Sequence, residues 1–118
     1  METARTKDDC IFCKIANHVI ESNYVYENDL VAAFRDMSPQ APTHVLVVPK
    51  QHYDNIVDGV PGETLAAMAQ AVDEVAKAEG VRESGFRVIA NTGDDAGQTV
   101  HHLHWHVLGG VNMGERLA

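Results

Sequence analysis

Apolar positions along the chain follow two rhythms. Over residues 62–79, "GETLAAMAQAVDEVAKAE", Leu65, Met68, Ala69, Val72, Val75 and Ala76 recur at steps of three and four, which gathers them on one face of an α-helix. Gly80 is well placed to end it. Elsewhere the pattern is that of strands. "NYVYEN" (23–28) and "LVAAFRDM" (30–37) flank Asn28-Asp29, a hairpin-like turn signal. "HVLVVP" (44–49) is an almost unbroken apolar run and predicts a buried central strand. "FRVIAN" (86–91) predicts another, and "VHHLHWHVL" (100–108), stopped by Gly109 and Gly110, predicts the last. A short helix is expected over 9–17, capped by Asp8 or Asp9, with Ile11, Phe12 and Ile15 as its apolar face. "SPQAPTH" (38–44), with Pro39 and Pro42, and "TGDDAGQ" (92–98) read as loops. The expected fold is α+β: an antiparallel sheet of about five strands with one long helix and a short N-terminal helix.

Composition narrows the function without naming it. A length of 118 residues suits a single domain, with a core from about 9 to 110. Hydrophobic residues at 45% and charged residues at 22% are the balance of an ordinary globular chain. The net charge of −8, from 17 acidic and 9 basic residues, argues against nucleic acid as a partner, since its phosphate backbone is bound by Lys and Arg patches. A small phosphate-bearing ligand remains compatible with local amides and imidazoles. No apolar stretch approaches a membrane span, and "METARTKDDC" has no apolar signal core, so no membrane partner and a cytoplasmic location are expected.

The chemistry gathers in "HHLHWHVLGG" (101–110), which holds four of the seven histidines. In a strand, residues two apart share a face. His102, His104 and His106 therefore point one way, spaced roughly 6–7 Å, while His101, Leu103, Trp105 and Val107 point the other. A purification tag would be consecutive and terminal, whereas this run alternates and is internal. Such a row suits phosphoryl or nucleotidyl transfer. A neutral imidazole is a good nucleophile toward phosphorus, and its neighbours can hold phosphate oxygens or protonate a leaving group. Gly97-Gln98-Thr99, just ahead, can add backbone amides and a hydroxyl. Cys10 and Cys13, three apart, read as reduced thiols, a redox dithiol or half of a zinc site, and composition does not choose among these.

"HLHWHVLGG" resembles the signature of the histidine triad (HIT) superfamily, with His102, His104 and His106 as the triad. "DMSPQAPTHVLVVPKQH" (36–52), "ANTG" (90–93) and "GQTVHHLHWHVLGG" (97–110) resemble its Hint branch. The resemblance spans about Asp9 to Gly110. It implies a hydrolase of purine nucleoside phosphoramidates or acyl-adenylates, binding an AMP- or GMP-type nucleotide. His104 would be the nucleophile, His106 would assist the leaving group, and His44 would be a buried supporting histidine beside the nucleophile. Asp36 would meet the ribose hydroxyls. Asn91, Gly97, Gln98 and Thr99 would surround the phosphate and the leaving side. Ile11, Phe12, Ile15, Met37 and Leu46 would form the base slot. Lys50 resembles a lysine near the acyl leaving group, although an exposed strand-end lysine reads equally well.

The same resemblance gives the cysteines partners, because relatives bind structural zinc through a CxxC pair and two histidines. These are Cys10, Cys13, His52 and His102 here, a closed tetrahedral set that serves stability. It also implies a homodimer, built on the 62–79 helix and a strand. His18 and His101 have no evident role. Two departures stand out: "VIES" (19–22) lacks the proline usual after the first helix, and "VNMGERLA" (111–118) lacks the Trp-Pro-Pro-Gly tail of eukaryotic relatives. Alternatives are a dinucleoside polyphosphate hydrolase, a zinc-stapled nucleotide-binding module without catalysis, and a CxxC redox protein. The last lacks the strand-then-helix context of that motif.

Overall fold

The computed structural model describes residues 5–115. In chain order the elements are α1 (Ile11–Ala16), β1 (Tyr24–Glu27), β2 (Val31–Arg35), β3 (Thr43–Pro49), α2 (Gly62–Glu79), β4 (Phe86–Ile89), a 3-10 turn (Asp94–Ala96) and β5 (Trp105–Gly109). The five strands form one sheet in the order β1-β2-β3-β5-β4, and every neighbouring pair is antiparallel. The α+β fold expected from the sequence is the one observed. The last strand enters between β3 and β4, with Leu46 opposite His106 and His44 opposite Leu108.

Strand alternation separates two apolar layers. Val31, Ala33, Val45, Val47 and Val107 face α2, where Met68, Ala71, Val72 and Val75 meet them. Ala32, Phe34, Leu46 and Val48 face the other way and pack with Phe12, Ile15 and Ala16 of α1. Short α1 covers the sheet face over β2 and β3, leaving the part over β5 and β4 for a groove.

α2 has the bounds that its periodicity predicts, and Gly80, at φ 73°, closes it with its N–H on the Ala76 and Lys77 carbonyls. A left-handed residue is most readily glycine. The stripe differs at three positions. Thr64 and Ala71 are buried while Ala69 faces solvent, because the buried face centres on Met68, Val72 and Val75 and Ala69 falls past its edge at 100° per residue. Neither Asp8 nor Asp9 caps α1. Cys10 does, its extended backbone letting Sγ accept from the Cys13 N–H at 3.3 Å.

The final strand is shorter than its sequence suggests. Residues 100–104 stay off the ladder because their backbone groups are engaged elsewhere. The Leu103 N–H donates to the Tyr53 carbonyl at 2.6 Å, and the Val100 carbonyl accepts from Gln98 Nε2 at 3.2 Å. Gly109 lies inside β5 instead of ending it. A Cβ there would stand 3.0 Å from Val81 Cγ1, so its lack of a side chain lets β5 pass beneath Val81. Among the described residues no helix is long and apolar enough to cross a membrane.

Met68 is fully buried between α2 and the sheet. Met68→Ala is expected to destabilise the protein by roughly 2–5 kcal/mol, read as a lower urea midpoint with an unchanged slope.

Candidate active site

The predicted alternation persists through the irregular stretch. Leu103 and Val107 are buried in the α2 layer with Trp105 packed against it, while His101 is exposed. The three remaining imidazoles meet different neighbours. His102 is completely buried beside His52, their ring centroids 5.0 Å apart. His104 stands edge-on to Phe12 at 5.0 Å. His106 lies 5.0 Å from His104 and 5.1 Å from His44.

Hydrogen bonds fix where the protons sit. His104 Nδ1 is 2.7 Å from the carbonyl oxygen of His102. A carbonyl only accepts, so Nδ1 carries the hydrogen and Nε2 keeps a free lone pair. The Gln40 backbone N–H donates to His44 Nδ1 at 2.9 Å, so neutral His44 carries its proton on Nε2. That nitrogen is 2.9 Å from His106 Nδ1 and 3.5 Å from Asp36 Oδ2. His44 therefore donates to His106, whose own proton moves to Nε2. Burial, reinforced by neighbouring His104 and His44, pushes the His106 imidazole down to about 4. Burial lowers His104 too. A lone-pair nitrogen and an N–H donor thus stand side by side.

Asp36, His44 and His106 are close enough to hold an ion, but Gln40 already occupies the Nδ1 lone pair of His44. Metal binding at Nε2 would require an imidazolate, so the group works as a hydrogen-bond relay. His44 supports His106 directly; its contact is not with His104.

The other candidates are distributed unevenly. Phe12, Ile15 and Leu46 come together in one buried cluster beside His104, whereas Ile11 is 43% exposed and Met37 93% exposed. Asp36 Oδ1 accepts from the Ser38 N–H at 2.7 Å. Asn91 lines a groove of about 440 Å³ together with His44, His106 and Arg87. Gln98 is buried. Its Oε1 accepts from the Gly93 N–H at 2.9 Å and its Nε2 donates to the Asp54 carbonyl at 2.6 Å, so the amide sews loops together. Gly97 and Thr99 are exposed, and Thr99 lines a hollow beside Cys10 and His52. Lys50 is held by Glu27 at 2.7 Å, and the same carboxylate takes His18 at 2.8 Å.

Cys10, Cys13, His52 and His102 form a second cluster, their ligand atoms all within 4.8 Å of one another. Sγ of Cys10 lies 3.2 Å from His102 Nδ1, and Sγ of Cys13 lies 3.4 Å from both His102 Nδ1 and His52 Nδ1. Such S···N edges approach the roughly 3.5 Å of a tetrahedron built on usual zinc bond lengths. The outer nitrogens are used as metal-binding histidines use them: His52 Nε2 on Asp54 at 2.8 Å and His102 Nε2 on the Pro49 carbonyl at 2.9 Å. Burial pushes His102 down to about 4, keeping it neutral, and pushes the Cys13 thiol up to about 11, where a thiolate needs a cation beside it. The donor set fits a metal ion. Sequence reasoning missed Asp54 and the Gln40 amide. Asp54, two residues after His52, carried a readable signal as a partner carboxylate; a backbone N–H carries none.

Comparison with known proteins agrees with this geometry. The HIT domain model matches residues 17–113. The chain belongs to the HIT family. It is 42% identical over 113 residues to the purine nucleoside phosphoramidase of Escherichia coli (strain K12), covering 94% of this chain and 95% of that one. A histidine triad protein from Clostridium difficile superposes with a TM-score of 0.87 at 46% identity, covering 98% and 99% of the two chains. A HIT family hydrolase from Clostridium thermocellum gives 0.89 at 42%, covering 96% and 100%. With such relatives this chain is an enzyme of the HIT family.

The depressed His106 predicts a pH dependence of stability. Between about 4 and its usual 6.5 the unfolded chain binds the proton and the folded one does not. Stability from this group is complete above 6.5 and declines as pH falls toward 4. Urea midpoints across that range should drop, and His106→Asn should flatten the slope.

Proposed function

We propose that this HIT enzyme cleaves the P–N or acyl-phosphate bond of purine nucleoside 5′-phosphoramidates or acyl-adenylates through a nucleotidyl-histidine at His104. The observation that carries this reading is the pairing of a free His104 Nε2 lone pair with a His106 Nε2–H. Nε2 of His104 attacks the α-phosphorus, and the bond from phosphorus to the leaving nitrogen or acyl oxygen breaks. His106 donates an Nε2–H hydrogen bond to that leaving group, which departs as a carboxylate or, for an amine, takes its proton from water. Water or the resulting hydroxide then attacks the same phosphorus. The bond to His104 breaks, a nucleoside monophosphate leaves, and His104 regains its free lone pair. The purine reading is supported by the name of the Escherichia coli relative.

Around this step, Asp36 keeps acceptor capacity for the ribose, and Phe12, Ile15 and Leu46 supply apolar surface for the base, with Ile11 and Met37 at its rim. Asn91 meets the phosphate from the groove side. Gly97 and Thr99 serve it from their loop, which the buried Gln98 amide holds. The ion at Cys10, Cys13, His52 and His102 is zinc, a structural cross-link between α1 and the segment before β5. Thiolate ligands suit a reducing compartment, the cytoplasm. A homodimer would use α2 and β4, an edge strand whose free backbone groups invite pairing.

Intact-mass measurement after mixing His106→Gly with an adenosine phosphoramidate should give an adenylyl adduct that vanishes when His104 is also replaced. Wild-type protein that binds AMP, forms no adduct and never turns over would overturn the reading in favour of a binding module. For the metal, elemental analysis should find one zinc per chain, lost in Cys13→Ser. That variant should be destabilised by at least about 3 kcal/mol, since zinc contributes on the order of 10 kcal/mol in small metal-dependent folds.

A further inference from the structure

Arg87 is the anomaly of the groove. Of the four arginines among the described residues, three face a carboxylate: Arg5 on Asp58 at 3.2 Å, Arg35 on Glu79 at 2.6 Å and Arg82 on Asp73 at 2.5 Å. Arg87 faces none of the described carboxylates, in a chain whose net charge is −8. Its side chain is half-buried, and Nη2 donates to the Gly114 carbonyl at 2.8 Å. The rest of a five-donor, planar guanidinium remains available. With acidic side chains abundant elsewhere, the groove keeps a cation uncompensated.

Its position says what that cation is for. On β4, Ile89 pairs with His106 and Arg87 pairs with Leu108, so Arg87 stands two residues, roughly 6–7 Å, along the strand from the level of His106. His104 lies against Phe12 on the α1 side. The groove shared by Arg87, Asn91 and His106 opens away from it, over β5 and β4. On the hydrolase reading, a nucleoside seated beside Phe12 would direct its leaving group into this groove. Ile89 and Leu108 give the groove apolar walls, which strengthen a charge-assisted bond by keeping water off it.

We propose that Arg87 reads the leaving group, and that the favoured substrates carry a carboxylate on the departing amine, as in the phosphoramidate of an α- or β-amino acid. This inference rests on the hydrolase reading above. A guanidinium matches a carboxylate with two parallel N–H donors, a geometry that an ammonium lacks. Arg87 touches the leaving portion and no reacting atom, so it determines specificity and leaves the bond-breaking step to His104 and His106.

The test compares kcat/KM for adenosine 5′-phosphoramidates of β-alanine and of β-alanine methylamide. Both are assayed with wild-type protein, Arg87→Met and Arg87→Lys, each checked for cooperative thermal unfolding. Comparing the ratio of the two substrates across variants cancels their intrinsic difference in reactivity. Arg87→Met should lower the carboxylate-to-amide ratio by about tenfold or more, mostly through KM, and Arg87→Lys should restore part of it. Turnover of both substrates with the same ratio in all three proteins would overturn the role of Arg87 while leaving the hydrolase reading intact. Wild-type protein that turns over neither would overturn both. If Arg87→Met does not fold, Arg87→Lys decides alone: an unchanged ratio there sinks the bidentate carboxylate contact.

Discussion

His102 is gripped at three points, and the site depends on that grip. Its Nδ1 faces two thiols, its Nε2 donates to the Pro49 carbonyl, and its own carbonyl receives the His104 Nδ1–H. The last bond leaves a free lone pair on His104 Nε2. The first two hold that carbonyl where no sheet ladder reaches it, since regular pairing begins only at Trp105. The Cys/His cluster therefore does more than staple α1: it positions the backbone atom that sets the chemistry of the next histidine but one.

A second backbone group does the same for His106 from the opposite side. The Gln40 N–H sets His44, and His44 sets His106. The loop that presents Gln40 contains Pro39 and Pro42, and rigid φ angles there restrict how far the amide can wander. Two amide-level contacts, from different loops, give chemically identical side chains opposite hydrogen-bonding arrangements. Burial keeps both rings neutral, so the distinction between acceptor and donor survives at neutral pH.

Most of the fold was legible because its elements announce themselves locally. Periodicity located α2 to the residue, and alternation placed His102, His104 and His106 on one side even where the strand is irregular. Reading failed where tertiary partners override local preference. Cys10 caps α1 because its thiol lies at the cluster, a long-range fact invisible beside two aspartates. Residues 100–104 look like strand, yet their backbone bonds to Tyr53, Gln98 and His104 instead. The Cys/His set and the triad followed from resemblance and meet in space. The roles of Gln98 and Lys50 did not follow from type alone, because their polar groups are engaged by loop backbone and by Glu27.

The sheet order carries a lesson about assembly. β5, which follows the other strands in sequence, lies inside the sheet between β3 and β4, and Thr43 pairs with Gly109. Until that terminal segment is available, β3 has an open flank and β4 has no neighbour. The bond between Cys10 and His102 spans 92 residues. Folding must therefore close its longest loops late, which slows it and leaves adhesive strand edges exposed during synthesis. The strand that bears His106 is thus also the keystone: the segment that brings the histidines to the groove is the one that joins the two parts of the sheet.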